Sequence, residues 1–425
     1  MAVLSLGTSA TDALFLEYIF PGIEIQLKEN TKLYDRFENV DKITEGKYAI
    51  FKVASKAPTS FRPSSSSTYP TAKQGTYAEF KLYMKRIYAQ LQFDGLAIAC
   101  GKGKGAVKDI VKSEVELNIT YGANYLNRIF WGDGSGRLAQ LNAASSNSTR
   151  VDIDHPFFGK DSNEYTPAHR YLEEGMSVDI YNTSKELVAE DIEISTITDD
   201  GDGTSYLTMA EAVTAANDSW ILDHDTYAAS EAAGTGVPQG LYGIVATTDP
   251  YVGLTQVDFQ NVDRGTYTWA QAQAWNHSSA AITDLAILKA IQKVEEYGRV
   301  NVIISNGAIW RAYYEQKSSD VTRPDATTFW GGTAGIDFYG GRAGKIPWIW
   351  DDDCPDNRIY VLDSNYLQVY APFKNGLTWA RGENGILTRV QGKDEETCAL
   401  VWYYNFGTTK PKALGVIYGV KHASS

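Results

Sequence analysis

ASKAPTSFRPSSSSTYPTAKQGT, residues 54–76, is the stretch that decides how this chain is built. It holds three prolines and a long serine–threonine run with no apolar period, so it is too polar to bury itself. Strand-like runs flank it on both sides, Tyr48–Val53 (within KYAIFKV) and Tyr77–Phe93. Two strands joined by a loose polar tip read as a two-stranded excursion over residues 46–95. Such a ribbon has no core of its own and is stable only against another surface. A plain surface loop is the alternative. Residues 1–45 mix apolar and polar positions without a sustained period and are charge-rich from Asp35 to Glu45, which reads as an N-terminal arm.

Downstream, a short apolar strand at Leu96–Cys100 runs into GKGKG at 101–105. From Val107, Ile110, Val111, Leu117, Tyr121, Tyr125 and Ile129 keep one stripe at helical spacing. The spacing predicts a helix over 106–131, roughly 39 Å at 1.5 Å per residue. Gly132, Gly134 and Gly136 stop it. Residues 142–163 read as a polar connection. Residues 165–240 are strand-rich, with Met176–Tyr181, Asp191–Thr198, Thr204–Met209 and Trp220–Leu222 as strands and Asp199–Gly203 as a turn.

Beyond 240 the character changes. Thr283–Tyr297 reads as an amphipathic helix with Ile282, Leu285, Leu288 and Val294 on one side. Val300–Ser305 is a buried-strand run, Gly307–Lys317 a second helix, and Ile346–Trp350, Ile359–Leu362 and Leu367–Tyr370 are strands. The tail from Ala399 to Val420 returns to strands, broken over Gly407–Pro411. The class is α+β, with an α/β-like part late in the chain. No internal repeat is found.

Composition narrows the function. The chain has 425 residues, 43% of them hydrophobic and 21% charged, enough for two or three domains with a sizeable core. Its 27 Tyr and 10 Trp suit interfaces as well as cores. The formal net charge is -13, the wrong sign for a surface that grips nucleic acid without regard to sequence. Three cysteines, Cys100, Cys354 and Cys398, are too few and too scattered for a disulfide framework. No signal peptide or membrane span is expected: the first apolar stretch, Leu14–Phe20, is broken by Glu17, and no run approaches ~18 apolar residues.

Chemical motifs fail one by one. Gly101-x-Gly103-x-x-Ala106 matches a loose dinucleotide fingerprint, but the acidic ribose ligand that should follow some 20 residues on falls inside the predicted helix. Ser135 lacks the outer glycines of a nucleophile elbow, because Asp133 and Arg137 stand there. His155, His169, His224, His277 and His422 form no metal-type spacing. Asp199, Asp200 and Asp202 lack the distal Glu of a calcium loop and read as a hairpin turn. Asp351-Asp352-Asp353 follow Trp348-Ile349-Trp350; they read as a solvated loop, with a carbohydrate site as the alternative. No catalytic, cofactor or metal residue is assigned, and the chain is not expected to be an enzyme.

The order of parts resembles the Hong Kong 97-type major capsid proteins of tailed double-stranded DNA phages. Gly75-Thr76-Tyr77 with Tyr83 and Tyr88-Ala89-Gln90-Leu91 looks like the return strand of that family's E-loop. Glu114–Gly136, ending in NRIFWGDGSG, looks like the end of its spine helix. Gly240–Ile244 looks like the opening of its A-domain, and Asn306–Tyr314 and Arg358–Asp363 like A-domain core segments. The resemblance implies an N-terminal arm (1–45), an E-loop (46–95), a P-domain with its spine helix (96–240), an A-domain (241–398) and closing strands (399–425). It implies a structural protein that self-assembles into hexamers and pentamers of an icosahedral virion capsid, formed in the host cytoplasm. Double-stranded DNA would be enclosed without specific binding. Portal and scaffold proteins are the implied partners, with decoration proteins as further candidates and no membrane. An encapsulin-like nanocompartment is the alternative within that fold. Phe61, Arg62, Tyr69 and Lys73 at the E-loop tip would contact a neighbouring subunit. Some family members cross-link an E-loop lysine to a distant Asn, and Lys56 and Lys73 are the candidates here.

Overall fold

The computed structural model describes residues 38–40, 44–45, 48–56, 74–94, 121–122, 125–154, 167–200, 205–227, 236–247, 258–318, 336–342, 344–371, 378–379, 388–389 and 392–421. At its centre stands a mixed six-stranded sheet. Its strands run in the order Gln273–Ala281, Leu414–Lys421, Arg358–Leu362, Val302–Ser305, Gly344–Trp350 and Ile336–Gly341. Side chains alternate between its two faces, and both faces are covered. Ile303, Ile359, Val361 and Ile417 meet the helix Asp284–Glu295 on one side. Val302, Ile304, Tyr360 and Leu362 meet Leu126, Ile129, Phe130 and Trp131 of the helix 125–131 on the other. Burial on both faces is why VNVIIS is continuously apolar rather than alternating.

Two of the helices packed on this sheet start on side-chain caps. The Thr283 hydroxyl accepts from the Ala286 N–H, and Asn306 Oδ1 accepts from the Ala308 N–H at 2.9 Å. Gly298 follows the first helix as expected. Its buried stripe differs from the expected one: Ile287, Ala290, Ile291 and Val294 face the sheet, while Leu285 is 61% exposed. The sheet lies one position further round the helix than Leu285, so that leucine lands outside the contact.

The predicted helix to Trp131 is helical at 121–122 and 125–131, and the rest of its span, like Leu96–Gly105, lies outside the described residues. It stops at Gly132 as expected. Gly134 and Gly136 both have positive φ, +88° and +77°, so the turn after the helix needs glycine. Asp133 locks that turn, accepting from Ser135 N–H at 2.9 Å and from Arg137 Nη2 at 2.8 Å. Gly240 passes against the helix end so closely that a Cβ there would collide with the carbonyl oxygens of Ile129 and Phe130. Backbone cannot move aside as a side chain can. Gly240→Ala is therefore expected to destabilise the fold by about 2–3 kcal/mol, read as a lower denaturant midpoint.

From Arg137 to Asp223 the chain closes a six-stranded antiparallel barrel. Its order is Ser205–Ala215, Ser145–Asp154, Arg137–Leu141, Trp220–Asp223, Ser177–Tyr181 and Leu187–Asp199. The residues filling its core all come from positions 138–221. The expectation of a polar connection at 142–163 is corrected here, because Ser145–Asp154 is a strand. SSNSTR carries no strand pattern; it is recruited by pairing with Ser205–Ala215, and only Val151 and Ile153 give it an apolar inner face.

A second correction concerns Tyr77–Phe93, which is two strands and not one. Thr76–Tyr83 pairs with Tyr48–Lys56, then Lys85–Asp94 leaves to pair along Glu395–Tyr404. Asn405 Nδ2 donates to the Tyr83 carbonyl at 2.7 Å, at the point of departure. The closing strands form as expected, Glu395–Thr408 and Leu414–Lys421, on either side of a 3₁₀ turn at Pro411–Ala413.

Candidate functional site

The ribbon Tyr48–Lys56/Thr76–Tyr83 is the structural form of the opening sequence argument. Its root is fixed to the body. Ala49, Phe51, Phe80 and Leu82 are buried with Val262, Ala270 and Tyr370. Phe51 stacks on Tyr370 at 5.3 Å with the rings nearly parallel, and Phe80 packs on Trp269 at 5.5 Å. Each such phenylalanine contributes on the order of 2 kcal/mol of burial. Lys81 N–H donates to the Gln260 carbonyl at 3.0 Å, tying one ribbon edge down.

Beyond Phe51 and Phe80 no described ribbon residue is fully buried, and Val53 is the last to pack on this cluster. Lys52, Ala54, Lys56, Thr76 and Glu79 are exposed, and Tyr77 is 71% exposed. Among the described residues, the distal half of the ribbon thus carries a large aromatic ring, Tyr77, that is mostly exposed. Of the residues expected at the tip, Phe61, Arg62, Tyr69 and Lys73 lie outside the described residues. Lys56 is described: it stands at the end of its strand, exposed, opposite Thr76.

The alternative sites are taken up by structure. Trp348 is fully buried, packed on Tyr313 at 4.7 Å and donating from Nε1 to the Ser305 hydroxyl at 2.8 Å. It cannot serve as a sugar platform. The aspartates after it are not a solvated loop, which corrects the expectation. Asp351 is buried and its carboxyl is pushed above the ordinary carboxylate range, first by burial and then by neighbouring Asp353. Asn127 Nδ2 donates to Asp351 Oδ1 at 3.2 Å and to Asp353 Oδ2 at 2.6 Å, and Arg170 Nε donates to Asp353 Oδ1 at 2.7 Å. Arg128 reaches over Tyr125 and Tyr171 beside them. This cluster joins helix, sheet and barrel. Sequence reading missed it because its members lie at 127, 170 and 351–353, and only tertiary folding brings them together.

Ser135 is buried in the glycine turn with Asp133 and Arg137 and faces no base. His169 Nδ1 lies 2.7 Å from the Ser205 hydroxyl. A cavity of about 430 Å³ lies between Tyr88, Tyr125, Leu126, Tyr404 and the Asp223–Thr226 turn. Its histidine, His224, is held at 2.9 Å by Asp179, whose hydrogen bond raises the imidazole pKa. Asp179 also accepts from the N–H groups of Asp191 and Asp225, so this pair pins the barrel's turns. Among the described residues no group of three or more His, Cys, Asp or Glu is placed to hold a metal, and no helix is long and apolar enough to cross a membrane.

Comparison with known proteins gives a fold. A chain of the cyanophage A-1(L) capsid asymmetric unit superposes with a TM-score of 0.51, covering 92% of this chain and 93% of that one at 13% identity. This chain has the Hong Kong 97-like capsid fold. At that identity the likeness extends to the fold and no further. Two other solved structures are similar over comparable lengths. The capsid of an empty GTA particle has a TM-score of 0.48 at 9% identity, covering 93% and 90% of the two chains. The SrpI encapsulin complex of Synechococcus elongatus PCC 7942 has a TM-score of 0.43 at 11% identity, covering 92% and 88%. No family model and no curated protein matches the sequence.

Proposed function

We propose that this chain is the major capsid protein of a tailed phage, whose copies assemble into hexamers and pentamers of an icosahedral head around double-stranded DNA. The observation that carries the reading is the ribbon: anchored at its root, largely exposed beyond Phe51 and Phe80, and joined in sequence by the polar, proline-rich stretch 57–73. A long arm of that kind adds contact area across subunit boundaries, which a multi-neighbour shell requires. It also lets one rigid body sit in rings of five and six, since the arm adjusts while the sheet and barrel stay fixed. Phe61, Arg62, Tyr69 and Lys73 are the proposed contact residues at the tip, and Lys56 and Lys73 the candidate cross-link lysines. The Hong Kong 97-like fold supports the reading. The lack of a net basic charge suits a wall that encloses DNA without gripping it. A portal and a scaffold are the proposed partners, with assembly in the host cytoplasm.

Size-exclusion chromatography and negative-stain imaging of the purified chain test this. Closed shells are expected at the void volume; rings or monomers alone would refute a shell. Nucleic acid inside particles from infected cells separates a phage head from a protein-filled compartment.

A further inference from the structure

The whole net charge of the chain is confined to one module. Between residues 137 and 227 stand 18 Asp and Glu against 5 Lys and Arg, a net of −13; the other 334 residues carry 34 of each and sum to zero. The described residues of this segment form the closed barrel, which has a hydrophobic core of its own. Its arginines do little to neutralise its surface. Arg137 pairs with Asp133 at 2.8 Å and Arg170 with Asp353 at 2.7 Å, both partners lying outside the segment, and Arg150 pairs with its own neighbour Asp152. The surface of the barrel also exposes Glu186, Glu190, Asp191, Glu193 and Asp200. The barrel is joined to the body through the Gly132–Arg137 turn and the Asn127–Arg170–Asp353 cluster.

We propose that in the shell, as read above, the barrel forms the outer layer of the particle and the charge-neutral body faces the DNA. Packed DNA presents a phosphate about every 1.7 Å of helix axis. Within a Debye length of roughly 8 Å, an uncompensated acidic wall repels it. Facing outward, the same carboxylates are solvated and keep particles from associating. The neutral remainder of the chain allows DNA to lie against it without either tight binding or repulsion. The segregation of charge, rather than its total, is what selects the orientation.

Native agarose electrophoresis of intact shells tests the placement, using the full chain and the triple variant Glu186→Gln/Glu190→Gln/Glu193→Gln. Loss of three outer charges per copy is expected to lower the mobility of intact particles by roughly a fifth. Equal mobility of intact particles, with dissociated subunits still differing, would place these residues inside and overturn the inference. Cryo-electron microscopy of wild-type shells gives an independent reading. Barrel density is expected at the largest radius, and barrel density on the luminal side would overturn the inference. If the wild-type chain forms no shell at all, the capsid reading itself fails and this placement with it.

Discussion

Deleting residues 58–74 is expected to leave a folded subunit that closes few shells. The ribbon's attachment does not depend on its tip, because Ala49, Phe51, Phe80 and Leu82 hold the root against Val262, Ala270 and Tyr370. Shortening a polar loop changes its closure entropy only slightly, so subunit stability should move by less than about 1 kcal/mol. Assembly is different, since every subunit places one ribbon. A loss of only about 1.4 kcal/mol per contact is tenfold in that contact's equilibrium constant, and the effect multiplies around a ring. Thermal melting should therefore be close to wild type while shell yield, counted by negative stain, falls at least tenfold. Normal particles from the deletion would remove the tip from the assembly interface.

Trp348→Ala is expected to cost about 3–5 kcal/mol, the largest effect of a single substitution in the six-stranded sheet. Trp348 has no exposure, fills the space beneath Tyr313, and donates to the Ser305 hydroxyl. Truncation leaves a cavity that a sheet covered on both faces cannot close, and a buried hydroxyl without its donor. The denaturant midpoint should drop with an unchanged slope. A cost below about 1 kcal/mol would mean that the ring is not a core residue, and would reopen the carbohydrate reading for this tryptophan.

The sequence made the central sheet legible because its strands are covered on both faces, so VNVIIS and RIYVL stand out as apolar runs bounded by polar turns. Helix starts were legible where a cap residue carries the signal, at Thr283 and Asn306. What could not be read was structure imposed from outside the segment. Ser145–Asp154 is a strand because Ser205–Ala215 offers it a ladder, and its serines and threonines give no hint of this. Tyr77–Phe93 reads as one strand because nothing local marks Met84; Asn405 and the register on Glu395–Tyr404 make the break. Asp351 reads as solvated because its partner Asn127 is more than 200 positions away in sequence. For the candidate site, the coreless ribbon was legible from composition alone. Its anchoring by Tyr370 and Trp269 was not, since those rings belong to remote loops and strands.

One map decides most directly whether copies complete one another: a cryo-electron reconstruction of shells formed by the full chain. The expected result places the largely exposed ribbon half, Lys52–Lys56 and Thr76–Glu79, against an adjacent copy, with Tyr77 buried there. A ribbon lying along its own subunit, or pointing into bulk solvent, would contradict it.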